Sequence, residues 1–227
     1  MNRAIRFLLI SLIGCQASVD PSTPTPNPPN STQGNGHSTN CKPTPVTRTG
    51  IVKVLFVGNS LTYYNDLPTK VGAIAASKGV RMEKESLAYP DYALEDHWNE
   101  GCVQAMIISG YYDFVVVQQG PSSQPAGGAS LLEYGERLQE LCKAHDTKLA
   151  FFMVWPARVN YGTFPGVIAN YSAAATATGA ILCPVGSVWK AFQDQTGDFS
   201  YYGPDEFHPS ALGSDVAAEV IYKALFP

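Results

Sequence analysis

The stretch IVKVLFV at residues 51–57 runs directly into GNSLT at residues 58–62. The length of the apolar run and its β-branched residues are typical of a buried strand. A serine at the point where such a strand turns into a helix is exposed at the carboxyl edge of a sheet, which is where open α/β sheets bind their ligands. The stretch therefore predicts an α/β domain with a reactive serine, Ser60, at its first strand–helix turn.

The rest of the chain alternates short apolar runs with stretches of helical length. The predicted strands cover residues 51–57, 81–88, 113–119, 148–155 and 180–185. The predicted helices cover residues 67–79, 94–109, 130–145, 166–178 and 210–225. This alternation predicts an α/β fold with a mainly parallel five-stranded sheet that carries helices on both faces.

A second short motif, DEFHP at residues 205–209, lies near the end of the chain. Asp205 precedes His208 by three residues, so one turn of chain can carry a general base and the carboxylate that orients it. With Ser60 these residues supply the nucleophile, base and carboxylate of acyl-transfer catalysis. Taken singly, each has a structural interpretation, as a helix N-cap, a hydrogen-bond partner or a turn residue. Their joint occurrence at the two ends of one domain favours catalysis.

Both motifs resemble blocks of one known family. GNSLT resembles the first block of the SGNH (GDSL-type) hydrolases, in the variant with Asn before the serine, and DEFHP resembles their final DxxHP block. The resemblance extends over residues 51–227. It implies a flavodoxin-like three-layer α/β/α sandwich and serine esterase chemistry without a metal or cofactor. It also implies that Ser60 is the nucleophile, His208 the general base and then acid, and Asp205 the residue that orients His208.

The family stabilises the oxyanion with the serine N–H, a glycine N–H and an asparagine side chain. Here DYALEDH at residues 91–97 resembles the glycine block, with Asp91 at the position of the glycine. Asp is among the residues that adopt left-handed backbone conformations, so its N–H can still be presented. The resemblance therefore implies oxyanion donors at Ser60 and Asp91.

The asparagine block is replaced by QQGPSS at residues 118–123. Successive residues of a strand point to opposite faces, so at most one of the two glutamines points into the site. We expect Gln119 to supply the amide donor, with Gln118 and Ser122 as alternatives. Both glutamines also have a purely structural interpretation, as the end of a strand.

Several other residues near the predicted ligand edge have both a structural and a functional interpretation. His97 lies within a predicted helix, and we interpret it as structural. The others either line the substrate pocket or pack in the core; they are Tyr63, Tyr64, Trp155, Arg158, Tyr201 and Tyr202.

The first 50 residues predict export. Two arginines precede the apolar run FLLISLI at residues 7–13, and LIGC at residues 12–15 resembles a bacterial lipobox. We therefore predict a lipoprotein signal peptide at residues 1–14, then lipidated Cys15 and a Pro/Ser/Thr-rich tether at residues 15–50, and the hydrolase domain at residues 51–227. The protein is then anchored to the bacterial cell envelope, at the outer membrane or cell surface. An ordinary signal peptide with a chance cysteine is the alternative.

Charge and cysteine content limit the kinds of partner that we expect. The formal net charge is −4, and no cluster of Lys and Arg follows residue 16, so nucleic acid and anionic lipid are not expected as partners. We expect a monomer that contacts the membrane only through the lipid at Cys15. The other cysteines, Cys41, Cys102, Cys142 and Cys183, allow three pairings in an oxidising compartment, and their spacing does not predict a zinc site.

These observations predict a serine esterase that acts through an acyl-enzyme intermediate. Because a tethered, exported enzyme meets polysaccharides, the preferred substrate is a short acyl ester such as an O-acetyl group on a carbohydrate. Lipid or small-ester hydrolysis is the second choice. The alternative class is a non-catalytic glycan-binding or surface-interaction lipoprotein on the same scaffold.

Overall fold

The computed structural model describes residues 50–227. The predicted signal peptide, Cys15, Cys41 and the predicted tether up to residue 49 lie outside the described residues.

The described residues form one sheet of five parallel strands. The strands are β1 (Val52–Gly58), β2 (Met82–Ala88), β3 (Phe114–Val117), β4 (Lys148–Phe152) and β5 (Ile181–Cys183). Their order across the sheet is β2-β1-β3-β4-β5, and all neighbours pair in parallel. This is the flavodoxin-like order, with its topological switch point between β1 and β3, so ligands are expected above the carboxyl ends of these two strands.

Eight α-helices within residues 50–227 surround the sheet. They are α1 (Ser60–Tyr63), α2 (Leu67–Ser77), α3 (Leu94–Glu100), α4 (Cys102–Ile108), α5 (Pro125–Ala144), α6 (Phe164–Thr178), α7 (Val185–Thr196) and α8 (Ala211–Leu225). Two short 3₁₀ turns add Tyr64–Asp66 and Arg158–Thr163. Helices α2 and α8 pack against each other on one face, and α3 to α6 pack on the other. The predicted three-layer α/β/α sandwich is therefore confirmed.

The core lies on both sides of the central strands. Residues 54–57 of β1, 115–117 of β3 and 150–152 of β4 are almost completely buried. Central strands of a parallel sheet are covered by helices on both faces, which explains why these segments are uniformly apolar instead of alternating.

Three features of the predicted helices were wrong. The helix predicted at residues 94–109 is two helices, because Gly101 between them adopts φ 84°, outside the right-handed helical region. Helix α5 begins five residues before the predicted start at residue 130. Gly127 lies inside this helix. A glycine is needed at this position because a Cβ would come 2.9 Å from the Cα of Ser122. Helix α7 was not predicted, since Val185 had been assigned to the last strand.

The three described cysteines differ in state. Cys102 is disulfide-bonded, whereas Cys142 and Cys183 are buried free thiols. Burial raises the pKa of both thiols to about 12. Of the disulfides that the sequence left open, those that include Cys142 or Cys183 are excluded, because both thiols are free.

Two further properties concern residues 50–227 only. None of their helices combines the length and the apolar composition needed to cross a bilayer. Their His, Cys, Asp and Glu side chains do not form a cluster of three that could hold a metal ion.

Candidate active site

Ser60, His208 and Asp205 lie together at the carboxyl edge of the sheet. Ser60 is the first residue of α1, directly after the β1–Asn59 turn. Its Oγ lies 2.9 Å from His208 Nε2, and His208 Nδ1 lies 2.6 Å from Asp205 Oδ2. With the ring proton on Nδ1 facing the carboxylate, Nε2 is free to accept the serine proton. The geometry is that of a nucleophile, a base and an orienting carboxylate.

Asp205 is fixed by its own turn as well as by the histidine. Its Oδ1 accepts hydrogen bonds from the backbone N–H groups of Phe207 (3.1 Å) and His208 (2.9 Å). Partial burial of the carboxylate opposes ionisation. The hydrogen bonds from the His208 side chain and the two backbone groups outweigh this effect and lower the pKa of Asp205. The carboxylate therefore remains ionised and holds the imidazole in one tautomer.

Trp155 and Arg158 support the loop that carries Asp205 and His208. Trp155 is fully buried and stacked on Trp189 at 3.6 Å, and its Nε1–H donates to the carbonyl of Phe207 at 3.0 Å. The Arg158 side chain donates to the Glu206 carboxylate at 2.6 Å, and its backbone N–H donates to the Glu206 carbonyl at 2.8 Å. Of the two interpretations considered, the structure favours packing for Trp155 and loop support for Arg158.

Asn59, immediately before the nucleophile, connects three elements. Its Oδ1 accepts from the backbone N–H of Leu61 at 3.1 Å, which caps α1, and from Gln118 Nε2 at 2.7 Å. Its Nδ2 donates to the carbonyl of Tyr92 at 3.0 Å. Asn59 is only 7% exposed. One buried amide thus ties the nucleophile turn to the end of β3 and to the turn that contains Asp91.

The Gln119 side chain does not reach toward Ser60. Its Nε2 donates to Ser122 Oγ (2.8 Å) and to the carbonyl of Gly127 (3.2 Å), and its Oε1 accepts from the backbone N–H of Leu94. Both amide protons are therefore used within the loop after β3 and the start of α5. The preference for Gln119 as oxyanion donor is not supported by this geometry.

The two alternatives to Gln119 are also engaged elsewhere. Gln118 is fully buried, and its Nε2 donates to Asn59 Oδ1 and Thr62 Oγ1. The Ser122 hydroxyl donates to the carbonyl of Gly120 and accepts from Gln119. The two glutamine side chains bond to different segments, and the amide N–H groups of both are engaged by these acceptors.

The turn that contains Asp91 has the conformation that the glycine position requires. The backbone N–H of Tyr92 donates to the carbonyl of Tyr89, Pro90 lies second in this turn, and Asp91 follows with φ 61°. These are the features of a type II turn, whose third position favours glycine. The Asp91 side chain is exposed. Among residues 50–227, no acceptor pairs with the backbone N–H of Ser60 or of Asp91.

Asn65 is a site residue that the sequence did not reveal. It adopts φ 53°, and its Nδ2 donates to the carbonyls of Pro209 (2.9 Å) and Ser210 (3.1 Å) and to Ser214 Oγ (2.9 Å). It therefore joins the segment after Ser60 to the segment after His208. Only its contacts across the fold distinguish Asn65 from an ordinary turn asparagine.

The remaining candidates have defined places. His97 is buried between Tyr89 and Tyr92, and its Nε2 lies 2.8 Å from the carbonyl of Gly58. Burial lowers the pKa of His97, which favours the neutral, structural form.

Tyr201 and Tyr202 are buried against Trp189, and the Tyr202 hydroxyl donates to the carbonyl of Pro156. Tyr63 is half-buried in α1, and burial raises the pKa of its phenol. Tyr64 is the exposed member of the set, and its ring stacks on His208.

No family model and no curated protein matches this sequence. Solved structures do match. A protein from Slackia heliotrinireducens assigned to the SGNH hydrolases is 25% identical, with a TM-score of 0.65 over 77% of this chain and 99% of that chain. A family 3 carbohydrate esterase from Clostridium thermocellum is 14% identical, with a TM-score of 0.59 over 77% of this chain and 94% of that one. An acetyl-xylooligosaccharide esterase from Geobacillus is 13% identical, with a TM-score of 0.57 over 79% of this chain and 97% of that one.

The fold and these similarities define the protein as a serine hydrolase. Its fold is that of the SGNH (GDSL-type) hydrolases, which the chain resembles at 25% sequence identity or less.

Proposed function

We propose that the protein is a serine esterase that uses Ser60, His208 and Asp205 as its catalytic triad. The observation that carries this proposal is the continuous hydrogen-bonded line from Ser60 Oγ through the His208 ring to Asp205 Oδ2, at 2.9 Å and 2.6 Å. A serine hydroxyl is a weak nucleophile at neutral pH, so it must pass its proton to a neighbouring base. The three side chains supply that path.

The reaction then follows from the geometry. Ser60 Oγ attacks the ester carbonyl carbon while its proton moves to His208 Nε2, and the imidazolium is stabilised by Asp205. The tetrahedral intermediate collapses, and His208 returns the proton to the departing alkoxide, which leaves as the alcohol. Water then attacks the acyl-enzyme with His208 as base. This second step releases the carboxylic acid and restores Ser60.

The proposed oxyanion donors are the backbone N–H groups of Ser60 and Asp91. Both lack an acceptor among the described residues, and the left-handed conformation of Asp91 is the one that glycine adopts in a type II turn. The amide protons of Gln118 and Gln119 are committed to other acceptors. A hole made from backbone donors suits a negatively charged oxygen because such donors are fixed before the reaction begins.

The proposed substrate is a short acyl ester, such as an O-acetyl group on a carbohydrate. Two structures of the same fold are described as a carbohydrate esterase and an acetyl-xylooligosaccharide esterase. The net charge of −4 is compatible with a neutral substrate. The proposed lipid anchor at Cys15 would place the enzyme where polysaccharides are met, although that segment lies outside the described residues.

Fluorophosphonate labelling tests the nucleophile directly. The wild-type protein should be labelled, and Ser60→Ala should not. Hydrolysis of p-nitrophenyl acetate by Ser60→Ala and His208→Ala should fall by about 10⁴-fold or more, because triad members act as a unit. The matched control is Ser86→Ala, which removes an exposed serine hydroxyl on β2 and should change neither measurement.

Comparison of acetyl with longer acyl esters, and then with acetylated xylan, ranks the substrates. Equal labelling of wild type and Ser60→Ala, or no labelling of either, would contradict the esterase proposal. The absence of labelling would leave a non-catalytic glycan-binding role on the same scaffold.

A further inference from the structure

One face of the His208 ring is covered by an aromatic ring. The ring centroids of Tyr64 and His208 lie 4.4 Å apart with an interplanar angle of 17°, which is a stacked arrangement. Tyr64 directly follows α1, and its backbone N–H donates to the carbonyl of Ser60. The segment that carries the nucleophile therefore also carries the ring that covers the base, so the two move together.

The stacking restrains the imidazole where its hydrogen bonds do not. The bonds to Asp205 and Ser60 lie at the two nitrogens and fix the ring within its own plane. Tilting out of that plane is opposed by Tyr64 on one face and by the Phe207 ring, whose centroid is 5.1 Å away at an angle of 63°. Together these four contacts restrain the position of Nε2 relative to the serine hydroxyl.

The stacking also has an electrostatic consequence. When the serine proton reaches Nε2, the imidazole becomes a cation, and the face of an aromatic ring attracts a cation. The other charged groups around this loop are the Asp205 carboxylate, which favours the cation, and the Arg158–Glu206 ion pair, whose charges offset each other.

The exposure of Tyr64 indicates what its ring is for. Tyr64 is 38% exposed, and its hydroxyl has no hydrogen-bond partner among residues 50–227. A phenol hydrogen bond therefore does not account for a tyrosine at this position. Its contact with His208 does.

We propose that Tyr64 is a positioning residue for catalysis, whose ring aligns the His208 imidazole and stabilises its protonated form. This inference rests on the proposed role of His208 as the general base.

Three substitutions of Tyr64 separate the contributions of ring, bulk and hydroxyl. Tyr64→Phe keeps the ring face, Tyr64→Leu keeps bulk without an aromatic face, and Tyr64→Ala removes both. On p-nitrophenyl acetate, the Ala and Leu variants should lose about 5- to 20-fold in kcat with KM within about twofold, as expected for loss of a partly exposed ring–cation contact. The Phe variant should retain kcat within about twofold, and fluorophosphonate labelling rates should follow the same order.

The control variant is Tyr222→Ala, which removes another half-exposed tyrosine, whose ring lies tilted against that of Phe226. Tyr222 lies about 18 Å along α8 from Ser210 at 1.5 Å per residue, so its loss should leave kcat unchanged.

A wild-type kcat for Tyr64→Ala, or for Tyr64→Leu, would overturn the inference. So would equal losses in Tyr64→Phe and Tyr64→Ala. Failure of the esterase proposal itself looks different: the wild-type protein would then be inactive, or Ser60→Ala would be as active as wild type, whatever residue occupies position 64.

Discussion

Replacement of Asn59 by aspartate tests whether the amide before the nucleophile holds the site together. Asp is nearly the same shape and keeps the Oδ1 acceptor for Leu61 and Gln118. It removes only the Nδ2–H that donates to the Tyr92 carbonyl, and it places a second carboxylate oxygen about 3.0 Å from that carbonyl. The substitution therefore separates the tether to the Asp91 turn from the cap on α1.

The magnitude follows from the burial of the pair. Asn59 is 7% exposed, so the Tyr92 carbonyl loses a partner in a largely dry position, and two oxygens then face each other. Leaving such a group unsatisfied costs about 1–3 kcal/mol, and burying a charge adds to it, so we expect a loss of ~3 kcal/mol in unfolding free energy. For a domain of this size that corresponds to a fall in Tm of roughly 6–12 °C. Because Asn59→Ala removes the cap as well, it should lose about 1 kcal/mol more.

Asn59→Asp should also lower activity, because it loosens the turn that contains Asp91. If Asn59 fixes the Asp91 turn, its loosening should lower kcat about 10- to 100-fold, part of the loss seen when an oxyanion donor is removed outright. Thermal denaturation followed by circular dichroism and steady-state hydrolysis of p-nitrophenyl acetate measure the two effects. Asn99→Asp, the same chemical change at an exposed position of α3, should shift stability by at most about 0.5 kcal/mol. A variant Asn59→Asp with wild-type Tm and kcat would refute the reasoning.

Two further predictions concern packing and thiol reactivity. A Cβ on Gly58 would lie 2.6 Å from Thr62 Oγ1 and 2.7 Å from Gln118 Nε2, so Gly58→Ala should cost about 1–3 kcal/mol in chemical denaturation, whereas Gly120→Ala, with open space around it, should be tolerated. Equal midpoints for the two variants would contradict this packing argument. Cys142 and Cys183 should resist iodoacetamide at pH 8 in the folded protein and react after unfolding in guanidinium, as measured by mass spectrometry of their peptides. The pKa of these thiols is near 8.5 in the unfolded chain and about 12 in the folded protein, so the urea midpoint should fall as the pH rises above about 8.5. Alkylation of the native protein at pH 8 would contradict the prediction, because it would show that the thiols are accessible.

The sequence predicted the sheet well because its central strands carry their own signal. The segments around Val54 and Val116 are apolar on both faces, a pattern that parallel strands share and that depends little on the rest of the fold. The sequence also indicated the set of Ser60, His208 and Asp205, because the two motifs that contain them supply the three residue types of one mechanism. The structure brings these side chains within hydrogen-bonding distance.

The parts that the sequence missed depend on contacts between distant segments. Gly127 precedes the predicted start of α5 at residue 130, yet it lies inside the helix, where close approach of the Ser122 backbone requires a glycine. The alternation at Gln118 and Gln119 predicts that they point to opposite faces. It does not say which face meets Asn59 and which meets Leu94, since that depends on where α1 and α3 pack.

Ser60 and His208, the proposed nucleophile and base, are 148 residues apart in the chain, on the first and the last parts of the described domain. Asn65 bonds the same two parts together again, to residues after His208. A chain that has folded its sheet but not yet docked α8 therefore has a serine without a base. With the proposed roles of Ser60 and His208, ester hydrolysis should report on completion of the whole fold, and a chain trimmed at its C-terminal segment should lose activity before its sheet unfolds.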